Sequence, residues 1–211
     1  MQEYSPKNGE EISENIIEVI KALKHSNGKI KLAKKVKFAI ASGEPALYPG
    51  LEKIISETPD AYFEILTNAS IYSKVIERLI SGNRGEILVS LDSGTAETFK
   101  TIKGLDLFER VINNIRKYRD HGNVLLKYIV IPGVNDNMDD IDGFIRICRN
   151  IDPKKIYVAR DCIYDFDIKS ISYGELTMSF MRRLIDNIKK LDIEYELLYF
   201  PNGFEEELEN S

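Results

Sequence analysis

The sequence predicts an α/β fold in which parallel strands alternate with helices, and two observations carry this prediction. Short, β-prone apolar runs alternate six times with segments whose apolar residues recur at helical spacing. Most of these runs are apolar almost throughout, as expected of parallel strands covered on both faces. Such strands pair in parallel through right-handed crossover connections. A complete eight-unit barrel usually needs ~250 residues, so this chain of 211 residues is either an open doubly wound sheet or a partial barrel.

Three strands and three helices are predicted in the first half of the chain. The strands are the runs KVKFAIA, AYFEILT and EILVSLD, at residues 35–41, 61–67 and 86–92. The helices present apolar residues on one face and cover about residues 11–27, 47–55 and 71–81. Ser70 is expected to cap the third helix and Gly82 to end it, because a serine oxygen accepts a free amide at a helix start and glycine often follows the last turn.

The second half continues the alternation. Asp106 and Glu109 have the spacing of a capping box before a helix that ends at Gly122. Asn137 is expected to open the next helix. The remaining strands are VLLKYIVI, KIYVA and IEYELLYF, at 124–131, 155–159 and 193–200, with a helix over 175–191 before the last. One domain is therefore predicted over residues 1–200, and the acidic segment within 201–211 is expected to be a solvated tail.

Composition excludes several classes of function. Acidic residues outnumber basic ones by 34 to 29, which leaves no electrostatic footprint for DNA or RNA. No apolar run is long enough to span a bilayer, and the opening residues are polar and acidic, so a cytoplasmic setting is predicted. Two cysteines far apart in the sequence, Cys148 and Cys162, fit a reducing compartment better than a disulfide framework. His25 and His121 both fall where a helix ends, which favours capping over metal binding or a catalytic triad.

The carboxyl ends of the predicted strands are polar. They read SGEP, TNAS, SLDSG, IPGVNDN and RDCIYD. Because parallel strands bring these ends to one edge of the sheet, where α/β proteins build their active sites, a site is predicted there. Lys127 interrupts the run VLLKYIVI, and a lysine on a buried strand is uncommon unless it is paired, functional or able to reach solvent. Cys148 falls on an apolar helical stripe and is expected in the core, whereas Cys162 lies on this edge.

Four segments between residues 36 and 136 carry a family resemblance. The first, FAIASGEPALYPGLEKII, contains a glycine-glutamate-proline motif, with Ser42 where a second glycine is usual. The second, EILTNAS, is similar to a Thr-Asn-Gly strand end, with Ala69 in place of glycine. The other two are ILVSLDSGTAETFKTIKG and LLKYIVIPGVNDN. In order and spacing these segments resemble the strand ends of the radical S-adenosylmethionine (radical SAM) family.

The resemblance implies a partial (β/α)6 TIM-like barrel of parallel strands, with its first strand absent, that binds S-adenosylmethionine (SAM). Residues 43–45 would meet the methionine amino group of SAM, since a carboxylate and carbonyl groups suit an ammonium. Ser90 and Asp92 would face the ribose or the methionine carboxylate, and Lys127 would offer that carboxylate a cation.

The adenine of SAM would lie against residues 131–134 and against Val158 and Ala159, if the resemblance holds at these positions. The full set of SAM-binding residues that the resemblance implies is Ser42, Gly43, Glu44, Pro45, Thr67, Asn68, Ser90, Asp92, Lys127, Ile131 and Val158. It identifies no catalytic residue and no substrate.

The family also implies a [4Fe-4S] cluster, held by three cysteines spaced Cys-X3-Cys-X2-Cys in the loop after the first strand. An electron from the cluster, supplied by a reductant protein, cleaves SAM to a 5′-deoxyadenosyl radical that abstracts hydrogen from a substrate. This sequence has no such triplet. It is therefore either a fragment that begins after the cluster loop or a domain that has lost the cluster, and the SAM-side residues favour the fragment. In either case the chain alone is expected to lack a cluster and to be inactive.

Two alternatives come from other functional classes. A Schiff-base lyase would use Lys127 as its amine, and a non-catalytic scaffold or binding domain would keep the fold without the chemistry. Trapping with borohydride and a carbonyl substrate distinguishes the first alternative, and titration with SAM distinguishes the second.

Overall fold

Six parallel strands form one sheet in the computed structural model, which describes residues 6–24, 37–41, 43–161, 174–201 and 203–210. The order of the strands in the sheet follows their order in the chain, and every neighbouring pair is parallel, as the sequence predicted. The strands are β1 (Lys37–Ile40), β2 (Tyr62–Thr67), β3 (Gly85–Ser90), β4 (Val124–Val130), β5 (Lys155–Arg160) and β6 (Glu194–Leu198).

Eight α-helices lie in the described ranges and connect the strands. They are α1 (Pro6–Lys24), α2 (Leu51–Glu57), α3 (Lys74–Ser81), α4 (Ala96–Lys103), α5 (Phe108–Arg119), α6 (Met138–Ile151), α7 (Glu175–Lys190) and α8 (Phe204–Asn210). A single 3-10 turn, Pro45–Leu47, precedes α2. Within these described ranges, no helix combines the length and the apolar composition needed to cross a bilayer.

The two faces of the sheet differ, which corrects the expectation that strands are covered on both. Burial alternates along β2 and along most of β4 and β5, with fully buried side chains facing the helices and half-buried ones between them, although Leu125 and Ala159 on the second face are also buried. One face, including Phe63, Leu126 and Val158, packs with the helices into the core. We call the other the open face. It is formed by Leu66, Leu88, Ser90, Lys127, Ile129, Tyr157 and Ala159, which the strand register places side by side.

Helix starts were predicted less well than strands. Asn137 does cap α6, where its side-chain oxygen accepts the amide of Asp140 at 3.0 Å. Helix α3 is capped by Ser73, not Ser70, and α5 starts after Leu107 without a side-chain cap, so the predicted capping box is wrong. The reason in the second case is that residues 96–103 form a helix of their own, α4, which sequence analysis missed.

The acidic end of the chain is not a solvated tail, contrary to expectation. It forms helix α8, in which Phe204 and Leu208 are buried in the hydrophobic core. The ring of Phe204 stacks on Phe200 with centroids 4.5 Å apart, and Arg182 of α7 donates a 2.8 Å hydrogen bond to the Leu208 carbonyl. Two apolar residues four positions apart lie on one helical face, and this spacing outweighs the acidic composition.

An ion cluster lies at the amino-terminal end of the sheet, opposite the predicted site. Glu86 is 3 % exposed and accepts hydrogen bonds from Lys37 at 2.6 Å and Lys154 at 2.9 Å, and Lys37 also contacts Glu64 at 2.9 Å. Burial alone would raise the pKa of Glu86, but the hydrogen bonds and charges of Lys37 and Lys154 outweigh it and lower that pKa. We call Lys37, Glu64, Glu86 and Lys154 the floor cluster.

Candidate functional site

The loop after β1 is braced by the carboxylate of Glu44. Glu44 Oε1 accepts hydrogen bonds from the Thr67 hydroxyl at 2.7 Å and the Ala46 amide at 3.1 Å, and Oε2 accepts the Asn68 amide at 3.0 Å. A carboxylate offers about four acceptor positions, so one position on Oε2 is left for a further donor. Gly43 has a φ of +64°, which accounts for glycine at this turn, and Pro45 begins the 3-10 turn.

The loop after β2 is fastened to α5. Asn114 donates a 2.8 Å hydrogen bond to the carbonyl of Ala69, and the hydroxyl of Tyr118 accepts the amide of Ser73 at 2.7 Å. Burial raises the pKa of Tyr118 to about 12, together with the charges of Glu44 and Glu77, so the phenol keeps its proton. Ala69 has a φ of 54°, a left-handed conformation that glycine adopts at lower cost.

The loop after β3 is held by Asp92, which also has a positive φ of 57°. One carboxylate oxygen accepts the amide of Ile129 at 3.0 Å, and the other pairs with Lys103 at 2.5 Å. Asp92 is only 2 % exposed. Its predicted contact with ribose or a carboxylate lacks support in this geometry, because both oxygens face the protein. Asp92 instead positions its neighbours.

Lys127 lies on the open face at the middle of β4, level with Ser90 at the carboxyl end of β3. The register pairs it with Ser90 on β3 and Tyr157 on β5, so the three backbones lie roughly 5 Å apart. Lys127 is half-buried, and within the described ranges its ammonium group has no side-chain partner. An unpaired cation on a half-buried surface is suited to binding an anion, since little water competes there.

The remaining predicted residues do not all lie at the edge of the sheet where the site was predicted. Ile131 follows β4 on the same edge, where its amide donates to Asn135 Oδ1 at 2.7 Å. Val158 is placed differently from the prediction. Its side chain is buried in the core on the helix-covered face, because strand side chains alternate, and its neighbour Ala159 is the one on the open face. Val158 could therefore offer a ligand only its backbone. Ser42 lies outside the described residues.

Three residues that sequence reasoning did not single out shape this edge. Lys103 neutralises Asp92, and Asn135 and Asp140 are both fully buried in the loop after β4 and the first turn of α6. Lys103 and Asn135 lie in the segments IKG and GVNDN, and Asp140 follows three residues after the second, but polar residues in loops are ordinarily solvated turn formers. Burial, which the sequence does not display, distinguishes these from ordinary turn residues.

The residues of this chain do not fit an iron-sulfur cluster. Three thiolates are needed, and the sequence has two cysteines. Cys148 is fully buried on α6, where burial raises the pKa of its thiol and disfavours the thiolate that binds metal. Cys162 lies outside the described residues. In the part of the chain that the structure describes, no group of three histidine, cysteine or acidic side chains is arranged to hold a metal ion.

Comparison with known proteins agrees with this architecture. A family model described as the radical SAM superfamily matches residues 3–145. A probable GTP 3′,8-cyclase of Archaeoglobus fulgidus is 30% identical over 188 residues, which cover 83% of this chain and 61% of that protein. The chain thus spans about three fifths of the length of this relative.

Solved structures share the fold at low sequence identity. Streptococcus suis SuiB bound to its precursor peptide SuiA aligns with a TM-score of 0.63 at 15% identity, over 88% of this chain and 42% of that chain. Native anSMEcpe with bound AdoMet aligns with a TM-score of 0.62 at 16% identity, over 87% of this chain and 54% of that chain. At such identities the likeness shows the fold alone, and that fold is the predicted partial TIM-like barrel.

Proposed function

The chain belongs to the radical SAM superfamily, and from that premise we propose that it is the SAM-binding core of a radical SAM enzyme. The observation that carries this proposal is Lys127, a cation with no side-chain partner in the described ranges, next to Ser90 on the open face. The methionine portion of SAM carries a carboxylate, for which this pair offers a positive charge and a hydroxyl donor.

The opposite end of the methionine portion is an ammonium, and the loop after β1 offers it acceptors. Glu44 Oε2 has one acceptor position left after its bond to the Asn68 amide. The backbone at Gly43 is accessible, since a side chain built there would meet nothing within 4 Å. We assign the ammonium to this loop and the carboxylate to Lys127. Thr67 and Asn68 act indirectly, by holding the Glu44 carboxylate in place.

The adenine and ribose of SAM would lie toward β4 and β5. Ile129 and Ala159 are register partners on the open face, where Ile129 is half-buried and Ala159 is buried, so Ile129 is the side chain of this pair that a flat ring could contact. The half-buried Ile131 follows at the end of β4.

SAM, if bound by these residues, would supply radical chemistry in an enzyme that also holds a [4Fe-4S] cluster. The protein residues described above bind and orient SAM, and none of them supplies cluster ligands. We propose that the cluster ligands come from residues outside these 211, and that this chain by itself neither assembles the cluster nor cleaves SAM. These residues do not identify the substrate. The likeness to a probable GTP 3′,8-cyclase makes GTP the first compound to test with a complete enzyme.

Calorimetric titration of the 211-residue chain with SAM and with S-adenosylhomocysteine tests the proposal. We expect saturable binding that is weak, because no cluster iron anchors the methionine groups. Lack of saturable binding by both compounds would favour the scaffold alternative. The Schiff-base alternative predicts that borohydride, added with a carbonyl substrate, fixes a covalent adduct on Lys127; we expect no adduct.

A further inference from the structure

The loops that follow β3 and β4 are joined by the side chain of Asn135. Its amide group donates to the carbonyl of Asp92 at 2.9 Å and to that of Ile129 at 2.6 Å, and its Oδ1 accepts the amide of Ile131 at 2.7 Å. Asn135 is fully buried. One side chain thus bonds to the backbone of both loops.

Asp140, in the first turn of α6, makes a second connection to the loop after β3. Its Oδ1 accepts the amides of Gly94 at 2.9 Å and Thr95 at 3.0 Å, with the Thr95 hydroxyl at 3.3 Å. Asp140 is fully buried, and no cation contacts it in the described ranges. A buried carboxylate is costly unless donors surround it, and these donors together with the helix amino terminus meet that need.

Tyr128 closes the network from the core side of β4. Its hydroxyl lies 2.6 Å from Asp140 Oδ2 and 2.7 Å from the carbonyl of Asn135, so its single proton is shared between two acceptors. Burial raises the pKa of Tyr128, and the charge of Asp140 raises it further, so the hydroxyl remains a donor. We call Tyr128, Asn135 and Asp140 the loop network.

The backbones of the same elements are in direct contact. A β-carbon added to Gly94 would lie 1.8 Å from the carbonyl oxygen of Asp140, and one added to Gly143 would lie 2.2 Å from the carbonyl oxygen of Gly94. The contact leaves no room for side chains, so α6 and the loop after β3 cannot shift toward each other. Hydrogen bonds and close packing therefore fix the same two segments.

This connection reaches the candidate SAM site through β4. The amides of Leu91 and Asp92 both donate to the carbonyl of Lys127 at 3.2 Å, and Asp92 accepts the amide of Ile129. The loop after β3 is thereby bonded to the backbone of the strand that carries Lys127. A shift of this loop would move Ser90 and Lys127 relative to each other.

We propose that Asn135, Asp140 and Tyr128 are positioning residues, which make the loops after β3 and β4 a single unit and fix the spacing of Ser90 and Lys127 for the SAM carboxylate. The part of this proposal that concerns SAM rests on the proposed function. The coupling of the two loops does not, because it follows from contacts within the chain.

Amide hydrogen exchange of Asp140→Asn and Tyr128→Phe tests the coupling. Both variants keep the shape of the side chain, and urea denaturation of each gives the global unfolding contribution that is subtracted from its exchange rates. We expect exchange to accelerate about 10-fold or more at the amides of Gly94 and Thr95 and, to a similar extent, at those of Ile131 and Asn135. The control is Glu86→Gln, which alters a buried carboxylate at the other end of the sheet and should accelerate neither loop beyond its effect on global unfolding.

Binding of S-adenosylhomocysteine, measured on the same proteins, tests the link to the site. We expect about 10-fold weaker binding by Asp140→Asn and Tyr128→Phe, and unchanged binding by Glu86→Gln. Acceleration confined to one loop, or an equal effect of Glu86→Gln, would overturn the coupling. If the two loops respond together but the wild-type chain binds no ligand, the coupling stands and the proposed function fails. Unchanged affinity in the two variants, with a wild type that binds, would overturn the positioning role.

Discussion

The hydroxyl of Thr67, at the end of β2, donates a 2.7 Å hydrogen bond to Glu44, in the loop after β1. This contact joins two neighbouring strand ends at the edge where the site lies. It also gives a role to the buried threonine at the end of β2, because its hydroxyl satisfies one acceptor position of the carboxylate. The glutamate of the glycine-glutamate-proline motif therefore braces the loop after β1, and its proposed contact with SAM would use the acceptor position that remains on Oε2.

Replacing Thr67 by valine should lower the free energy of unfolding by about 1–3 kcal/mol, since it removes two hydrogen bonds, one donated to Glu44 and one accepted from the Ala69 amide. Urea denaturation measures this loss. Thr58→Val is the matched control, because its hydroxyl donates to the Ile54 carbonyl away from the site. Only Thr67→Val should accelerate exchange of the Asn68 amide, which shares the Glu44 carboxylate. Equal acceleration in both variants would mean that Thr67 does not brace the loop.

Lys127→Met should weaken binding of S-adenosylhomocysteine about 10-fold or more, because a hydrogen bond to a charged group is worth ~1.5–3 kcal/mol. Stability should change by no more than about 0.5 kcal/mol, since the ammonium has no side-chain partner in the described ranges. Lys155→Met is the control. Lys155 also lies on a strand, but it pairs with Glu194 and Glu196 toward the amino end. Equal affinity of Lys127→Met and wild type would remove Lys127 from the site.

Gly143→Ala should destabilise the protein, although alanine is normally favoured over glycine inside a helix by ~1 kcal/mol. The added methyl group would lie 2.2 Å from the carbonyl oxygen of Gly94, and relieving such overpacking costs about 1–3 kcal/mol. Thermal and urea unfolding measure the change. Gly174→Ala, where the added carbon meets nothing within 4 Å, should stay within about 0.5 kcal/mol of wild type. A stabilised Gly143→Ala would show that the contact with Gly94 is looser than described.

Glu86→Gln should change how stability depends on pH. Because the folded-state pKa of Glu86 lies below its ordinary value, its ionised form stabilises the fold above pH ~4.5, and this contribution is lost as the pH falls through the folded-state pKa. At pH 7 we expect the variant to be about 1–3 kcal/mol less stable than wild type. As the pH falls below 5, we expect the free energy of unfolding of the variant to decrease less than that of wild type. Glu109→Gln, at an exposed position, is the control. Parallel pH profiles of Glu86→Gln and wild type would contradict the role of the floor cluster.

The strands and their direction could be predicted from the sequence because their signal is local. Each run is apolar, and alternation with helices leaves parallel pairing as the simplest arrangement. The same reasoning placed Gly43, Glu44, Ser90 and Lys127 at or near one edge of the sheet, which the register bears out for Ser90 and Lys127. The functions assigned to these residues remain predictions.

The sequence did not predict on which face of the sheet a strand side chain lies, or which loop residues are buried. Val158 and Ala159 are adjacent in an apolar run, and the run does not reveal which of them faces the helices. Asp92, Asn135 and Asp140 look like ordinary loop residues until their burial is known. Helix α8 was missed because four acidic residues obscured the pairing of Phe204 with Leu208, although their spacing was visible in the sequence.

Amide chemical-shift mapping with S-adenosylhomocysteine shows whether this chain carries the SAM-binding edge of a radical SAM barrel. For a chain of 24.2 kDa the mapping is practicable with deuterated protein. We expect saturable shifts at Gly43, Glu44, Ser90 and Ile131 and in β4 around Lys127, with none at Glu86 or Lys154. The absence of saturable shifts, or shifts concentrated around the floor cluster, would contradict this expectation.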